Sequence, residues 1–266
     1  MTTTVTMLGC GSSGGVPRVG GIWGNCDPLN PRNWRRRCSI LVQKKNDGGV
    51  TRVLIDTPPD LRMQLLDAEV GVVDAVLYTH EHADHTHGID DLRQVAFNSK
   101  DRVDVYMSER VWNHLVPKFS YCFESPPGSL YPPILNAREM VSYCAVSIDG
   151  EGGRVTAMPM NQMHGSIISF GFRFGDFCYS TDVSDFPPET VERLEGTRIW
   201  IIDALRYNSH KTHFNLEAAV SWIERIKPER AILTNMHHDL DYEALKAQLP
   251  ENVEPGYDGL TFEITA

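Results

Sequence analysis

Short apolar, β-branched runs recur along the chain, and several of them end in a cluster of His, Asp or Asn. The run Val72-Val73-Asp74-Ala75-Val76-Leu77-Tyr78 predicts a buried strand, with residues 79–85 at its end. Strands are also predicted over 4–8, 102–107, 154–160, 198–203 and 230–234. Residues 39–43 and 52–56 read as a pair around the turn Asn46-Asp47-Gly48-Gly49, and 169–173 with 176–180 as a hairpin. Helical spacing covers 61–66, 88–98 and 109–115, and an amphipathic helix runs over 216–226, just after His213-Phe214-Asn215. Residues 117–140 are rich in Pro and aromatics (Phe119, Tyr121, Phe123, Tyr131), which predicts a flap that walls a pocket, or a surface loop packing its own rings. Strands interleaved with helices place the chain in the α/β class.

The chemistry gathers at strand ends. Thr79-His80-Glu81-His82-Ala83-Asp84-His85 follows the strongest strand, and α/β folds bind ligands at such ends. In extended chain, residues two apart point the same way, so His80 and His82 can grip one ion while Asp84 and His85 turn to a second. Three His and one Asp within six positions crowd like donors together, at a desolvation cost that a cation would offset. A metal site is therefore expected, with His87 either beside it or solvated. His164, Asp182, Asp203 and His237 also stand just past strand ends, as ligands converging on one site would. Asp56 ends its strand before Thr57-Pro58-Pro59, where it either orients a metal-binding His or caps the next helix. His114 reads as structural.

Gly9-Cys10-Gly11-Ser12-Ser13-Gly14 has the spacing of a dinucleotide fingerprint, but Gly15, Pro17, Gly20 and Gly21 break any helix that should follow. It reads instead as a tight loop whose N–H groups line a site for an anion, or as a purely structural turn. Arg35-Arg36-Arg37 reads as a solvated face or a phosphate contact. The 266 residues, 41% hydrophobic, are enough for one large domain or two small ones; with no linker or repeat, one domain over 1–266 is expected. A net charge of −10 argues against a general nucleic-acid or anionic-membrane binder and leaves a local basic patch open. No apolar run approaches the ~20 residues of a membrane span, and the N-terminal residues lack a secretory pattern, so a cytoplasmic location without membrane partners is expected. Six scattered cysteines, without a C-x-x-C pair, fit reduced and mostly buried thiols.

H-x-H-x-D-H after a strand, followed by a lone His, a lone Asp and a late His, resembles the metallo-β-lactamase superfamily over nearly the whole chain. Residues 8–17, the Arg-rich entry to Cys38-Ser39, Leu54-Ile55-Asp56 and Thr212-His213-Phe214-Asn215-Leu216 are most similar to bacterial phosphoribosyl 1,2-cyclic phosphate phosphodiesterases. The tRNA 3′-processing endonucleases are more distant relatives. The resemblance implies a four-layer αββα sandwich of two mixed sheets flanked by helices. It implies that His80, His82 and His164 bind one ion, that Asp84, His85 and His237 bind another, and that Asp182 bridges them. The phosphodiesterases carry a His directly after the Ile-Leu-Thr strand, where this chain has Asn235, so His237 or His238 must reach back, with His237 preferred. An additional zinc held by N-terminal cysteines in that family is not expected, since only Cys26 stands in the corresponding region.

Two ions roughly 3.5 to 4 Å apart can share a water and lower its pKa from about 15.7 towards 7, giving a nucleophile at neutral pH. Asp84 and Asp182 then serve catalysis through the metals. His213, matched to the family's catalytic His, is the expected general acid, or else a capping or packing residue. Substrate contacts are expected from Ser12, Ser13, Ser166, Arg206 and Tyr207. Zinc is the default for His-rich ligation; manganese and iron fit the same set. The expected substrate is a small cyclic or nucleotide-like phosphodiester, with no large nucleic acid, because the tRNA-gripping arm of an endonuclease has no counterpart here. A lactone or thioester hydrolase and a non-catalytic nucleotide-binding relative are the alternatives. The chain as a monomer or a homodimer stays open.

Overall fold

The computed structural model describes residues 2–266. The first half runs β1 (Thr2–Gly9), β2 (Ser39–Asn46), β3 (Gly49–Ile55), α1 (Leu61–Asp67), β4 (Ala75–Leu77), α2 (Ala83–Thr86), α3 (Leu92–Ser99), β5 (Val103–Met107), α4 (Glu109–Leu115), α5 (Ser120–Phe123) and β6 (Leu135–Glu139). The second runs β7 (Val146–Ile148), β8 (Val155–His164), β9 (Ile167–Phe174), β10 (Phe177–Ser180), α6 (Pro188–Leu194), β11 (Ile199–Asp203), α7 (Leu216–Ile226), β12 (Arg230–Thr234), α8 (Tyr242–Lys246), β13 (Val253–Pro255) and β14 (Thr261–Ile264). They form two seven-stranded sheets, ordered β14-β1-β2-β3-β4-β5-β6 and β13-β12-β11-β10-β9-β8-β7. Both are mixed: β3 to β6 and β10 to β13 pair in parallel, while β14-β1-β2-β3 and β7-β8-β9-β10 are antiparallel. The expected αββα sandwich is the architecture found.

The period-two rule explains how one strand serves two cores. Ile40, Val42, Val53, Ile55, Ala75 and Leu77 face the second sheet, packing with Phe172, Phe177, Ile201 and Ile232. Their chain neighbours Leu41, Leu54 and Val76 face α1, α3 and α4, against Leu61, Leu92 and Val111. With both faces buried, these strands read as continuous apolar runs.

Several boundaries differ from the sequence expectation. The run 72–78 forms a strand only over Ala75–Leu77, with Val73 before it buried in the helix-side core. Residues 117–140 are not one loop: α5 lies within them, and β6 pairs with β5 in parallel. The helix expected from residue 88 begins as a short 3-10 turn, with α3 starting at Leu92. The strand expected over 154–160 continues to His164, which pairs with Ile167 across the β8–β9 hairpin. Arg35 is not on a solvated face. It is 2% exposed and donates to the carbonyls of Leu240 and His237, while Arg36 and Arg37 pair with Asp67 and Asp60. All six cysteines are free, and only Cys144 is exposed.

Candidate metal centre

Three imidazoles are locked in one tautomer by their Nδ1 partners. His85 donates from Nδ1 to Asp56 Oδ2 at 2.7 Å. His164 donates from Nδ1 to the Thr212 carbonyl at 2.7 Å. Thr79 donates its hydroxyl to Asp56 Oδ2 at 2.8 Å, so its oxygen accepts from His80 Nδ1 at 2.9 Å. Asp56 therefore orients two histidines, one directly and one through Thr79, rather than capping the next helix. Each of the three rings turns its Nε2 inward, and all three converge on one carboxylate: His80 and His164 stand 3.6 and 3.7 Å from Asp182 Oδ2, and His85 3.1 Å from Asp182 Oδ1.

Lone pairs facing a buried carboxylate repel unless a proton or a cation sits between them. His80 is fully buried and its Nε2 has no hydrogen-bond partner. Burial and the neighbouring His85 hold His80 well below the usual histidine range, which keeps it neutral. Its ring lies 4.4, 4.5 and 5.2 Å from those of His85, His82 and His164, too close for several imidazolium charges. A divalent cation resolves the conflict, and donor atoms of His80, His82, His164 and Asp182 all lie within 4.8 Å of one another. On the other side, Asp84 Oδ2 lies 3.7 Å from His85 Nε2. The donor set fits divalent metal ions.

The backbone is bent to make this possible. Asp56, Asp182 and Asn235 hold φ values of 65°, 50° and 60° just past β3, β10 and β12. Left-handed backbone at non-glycine residues costs on the order of 1–3 kcal/mol each and concentrates at functional sites. Burial disfavours the Asp182 carboxylate, but His85 above all, with His213, outweighs it and holds Asp182 well below the usual range.

His213 sits at the mouth of the cluster, ahead of α7, which Asn215 caps by accepting from the Ala218 N–H at 3.1 Å. Its Nδ1 pairs with the buried Asp203 at 2.8 Å, and its Nε2 stands 3.9 Å from Asp182 Oδ2. Burial opposes the imidazolium, yet Asp203 and Asp182 overcome it and push His213 up to about 9.

A family model described as the beta-lactamase superfamily domain matches residues 51–237. The chain belongs to the metallo-β-lactamase superfamily. It is similar to a solved diphosphatase from the PhnP family, with 35% identity, a TM-score of 0.86, and coverage of 99% of this chain and 98% of that one. A curated relative from Porphyromonas gingivalis, named octanoyltransferase, is 34% identical over 258 residues, and the chain spans half of that protein's length. Human tRNase Z, short form, shares the fold at 16% identity and a TM-score of 0.65, over 99% of this chain and 100% of that chain. With this fold and its His/Asp cluster, the chain is a metal-dependent hydrolase.

Against the superfamily pattern, one expected ligand is placed otherwise. His237 does not face Asp182: its Nε2 meets Arg18, and its Nδ1 lies 2.5 Å from Asp239 Oδ1 and 2.9 Å from His238 Nδ1. Asn235 is the residue after β12 whose side chain turns in, 3.3 Å from Asp182 Oδ1 and 3.1 Å from His213 Nδ1. The left-handed turn at Asn235 spends the strand end on that residue, and His237 falls past it.

The remaining expected residues are dispersed. Ser12 is buried and its N–H donates to the Met236 carbonyl at 3.2 Å, so the glycine loop is stitched to the end of β12. Gly11 has no room for a side chain, since a Cβ there would stand 2.8 Å from that of Arg35. Ser13 and Ser166 are exposed. Arg206 ties its own loop through the carbonyls of Asn208 and Ser209, and Tyr207 Oη accepts from Gln248. His87 is exposed against the Phe119 ring, and His114 bonds the Arg110 carbonyl of its own helix. Asp203, expected from its strand-end position to converge on the site as a ligand, instead pairs with His213. Thr79 and the Thr212 carbonyl orient His80 and His164, roles that the sequence signals only by the adjacency of Thr79 to His80.

Proposed function

We propose that this chain hydrolyses a small phosphodiester, cyclic or nucleotide-like, with two divalent ions, zinc by default and manganese or iron as fits to the same donors. The observation that carries the reading is the two-faced Asp182, whose Oδ2 looks to His80 and His164 while its Oδ1 looks to His85. Ions bound there would supply Lewis-acid activation of water and neutralise charge developing on a phosphoryl group. His80, His82 and His164 would hold one, Asp84 and His85 the other, and Asp182 both.

The protein's own groups supply the rest. His213 Nε2 points into the cluster, where it can give a proton to a leaving alkoxide, and Asp203 fixes its tautomer from behind. Cys38 is no rival nucleophile, because burial pushes its thiol up to about 12. Similarity to a PhnP-family diphosphatase supports a phosphoryl substrate and extends the reading to P–O–P linkages. The net charge of −10 supports a small substrate over a long polyanion. The test is Asp182→Ala, which should abolish cleavage of bis-p-nitrophenyl phosphate; full activity in that variant would refute the reading.

A second reading is favoured by the relative named octanoyltransferase. The same centre could cleave a thioester. Because the chain spans half of that relative, the name belongs to the longer protein, and rates on an octanoyl thioester against a phosphodiester separate the two readings.

A further inference from the structure

The two sides of Asp182 are furnished with different chemistry. Facing Oδ2 are the imidazoles of His80 and His164, with His82 Nδ1 3.4 Å from His164 Nε2. Facing Oδ1 are a single imidazole, His85 at 3.1 Å, and the Asn235 carboxamide at 3.3 Å, with the Asp84 carboxylate 3.7 Å from the same His85 nitrogen. The first side thus offers three imidazoles and one carboxylate oxygen. The second offers one imidazole, two carboxylates and a neutral amide. Through Nδ2, Asn235 only donates a hydrogen bond; turned by half a rotation of the amide, it presents a carbonyl oxygen. The nearest later imidazole in the chain, His237, is already engaged by Arg18 and Asp239.

Imidazole suits zinc, whereas carboxylate and carbonyl oxygens suit manganese and magnesium. We propose that the two ion positions are unequal: the His80–His82–His164 side binds zinc tightly, and the Asp84–His85–Asn235 side is a weak, oxygen-rich position that exchanges its ion and takes Mn2+ or Mg2+. The inference rests on the reading that Asp182 lies between two ions. Asn235 is 2% exposed at φ 60°, and its side chain is turned in toward Asp182. Histidine shares asparagine's tolerance of left-handed backbone, which makes Asn235→His a substitution that the turn accepts.

The experiment strips the protein with a chelator, restores it with excess Zn2+, dialyses it against metal-free buffer and counts ions by mass spectrometry. One zinc per chain is the expected result. Mn2+ added to that one-zinc protein should bind once more per chain, with the electron paramagnetic resonance of an isolated ion. Asn235→His should tighten the second position for zinc roughly tenfold or more and retain two zinc ions through the same dialysis. A wild-type chain that keeps two zinc ions equally tightly would overturn the inference and leave the hydrolase reading standing. A chain that keeps none would overturn both. The wild-type count decides the matter whether or not the variant folds.

Discussion

At the scale of single residues, Asp56 and His213 make the sharpest commitments. Asp56 is fully buried, accepts from His85 and Thr79, and through Thr79 sets the tautomer of His80. Asp56→Asn should weaken metal affinity by roughly 10- to 100-fold, as loss of a ligand's orienting partner does. Calorimetric titration of metal into stripped protein checks this, and an unchanged affinity would show that the histidines hold their orientation alone. His213→Gln should lower turnover of an alkyl phosphodiester by about 10²–10⁴-fold while sparing p-nitrophenyl esters, whose leaving group needs no proton. Equal loss on both substrates would assign His213 to packing instead. The run from His80 to His85 was legible because its spacing is local. Asn235 and His237 were not, since which residue turns inward depends on a left-handed φ at the end of β12 that sequence patterning does not encode.

At the scale of elements, caps connect the site to the fold. Asn215 caps α7 two residues after His213, so Asn215→Ala should cost about 1 kcal/mol of stability and lower turnover as well. Chemical denaturation with parallel kinetics checks both; turnover at the wild-type rate would uncouple the cap from His213. Asp241 caps α8, and hydrogen bonds from Ala244, Asp27 and Asn33 outweigh burial to hold its carboxyl below the usual range. A lowered folded value means that the unfolded chain binds the proton more tightly. The contribution is therefore present at neutral pH and lost as pH falls below the unfolded value and through the lowered folded one. The gap in Tm between wild type and Asp241→Asn should narrow as pH falls from 7 to 3, and a constant gap would contradict the assignment. Long apolar strands and the amphipathic α7 could be read from periodicity. β6, β7, β13 and β14 could not: they span three to five residues, and β14 is fixed by pairing with β1 at the far end of the chain.

At the scale of the molecule, two sheets meet at one line of strand ends, and Asp56, His80, Asp182, Asp203 and Asn235 all come from that line. A cluster built from both halves links metal binding to the whole fold. Chelation should lower Tm, because an ion held at about 1,000 times its Kd stabilises the folded state by roughly 4 kcal/mol. An unchanged Tm on chelation would separate the cluster from stability. Among the described residues no helix is long and apolar enough to cross a membrane. The superfamily scaffold was legible from its motif set, but the bond that this centre breaks is not written in the ligands, which serve phosphoryl and acyl chemistry alike. The most direct measurement is kcat/KM of metal-restored protein on a small phosphodiester and on an octanoyl thioester, each repeated after chelation. The account predicts turnover that chelation abolishes and that favours the phosphodiester by roughly a hundredfold or more. Equal or faster thioester cleavage, or turnover that survives chelation, would contradict it.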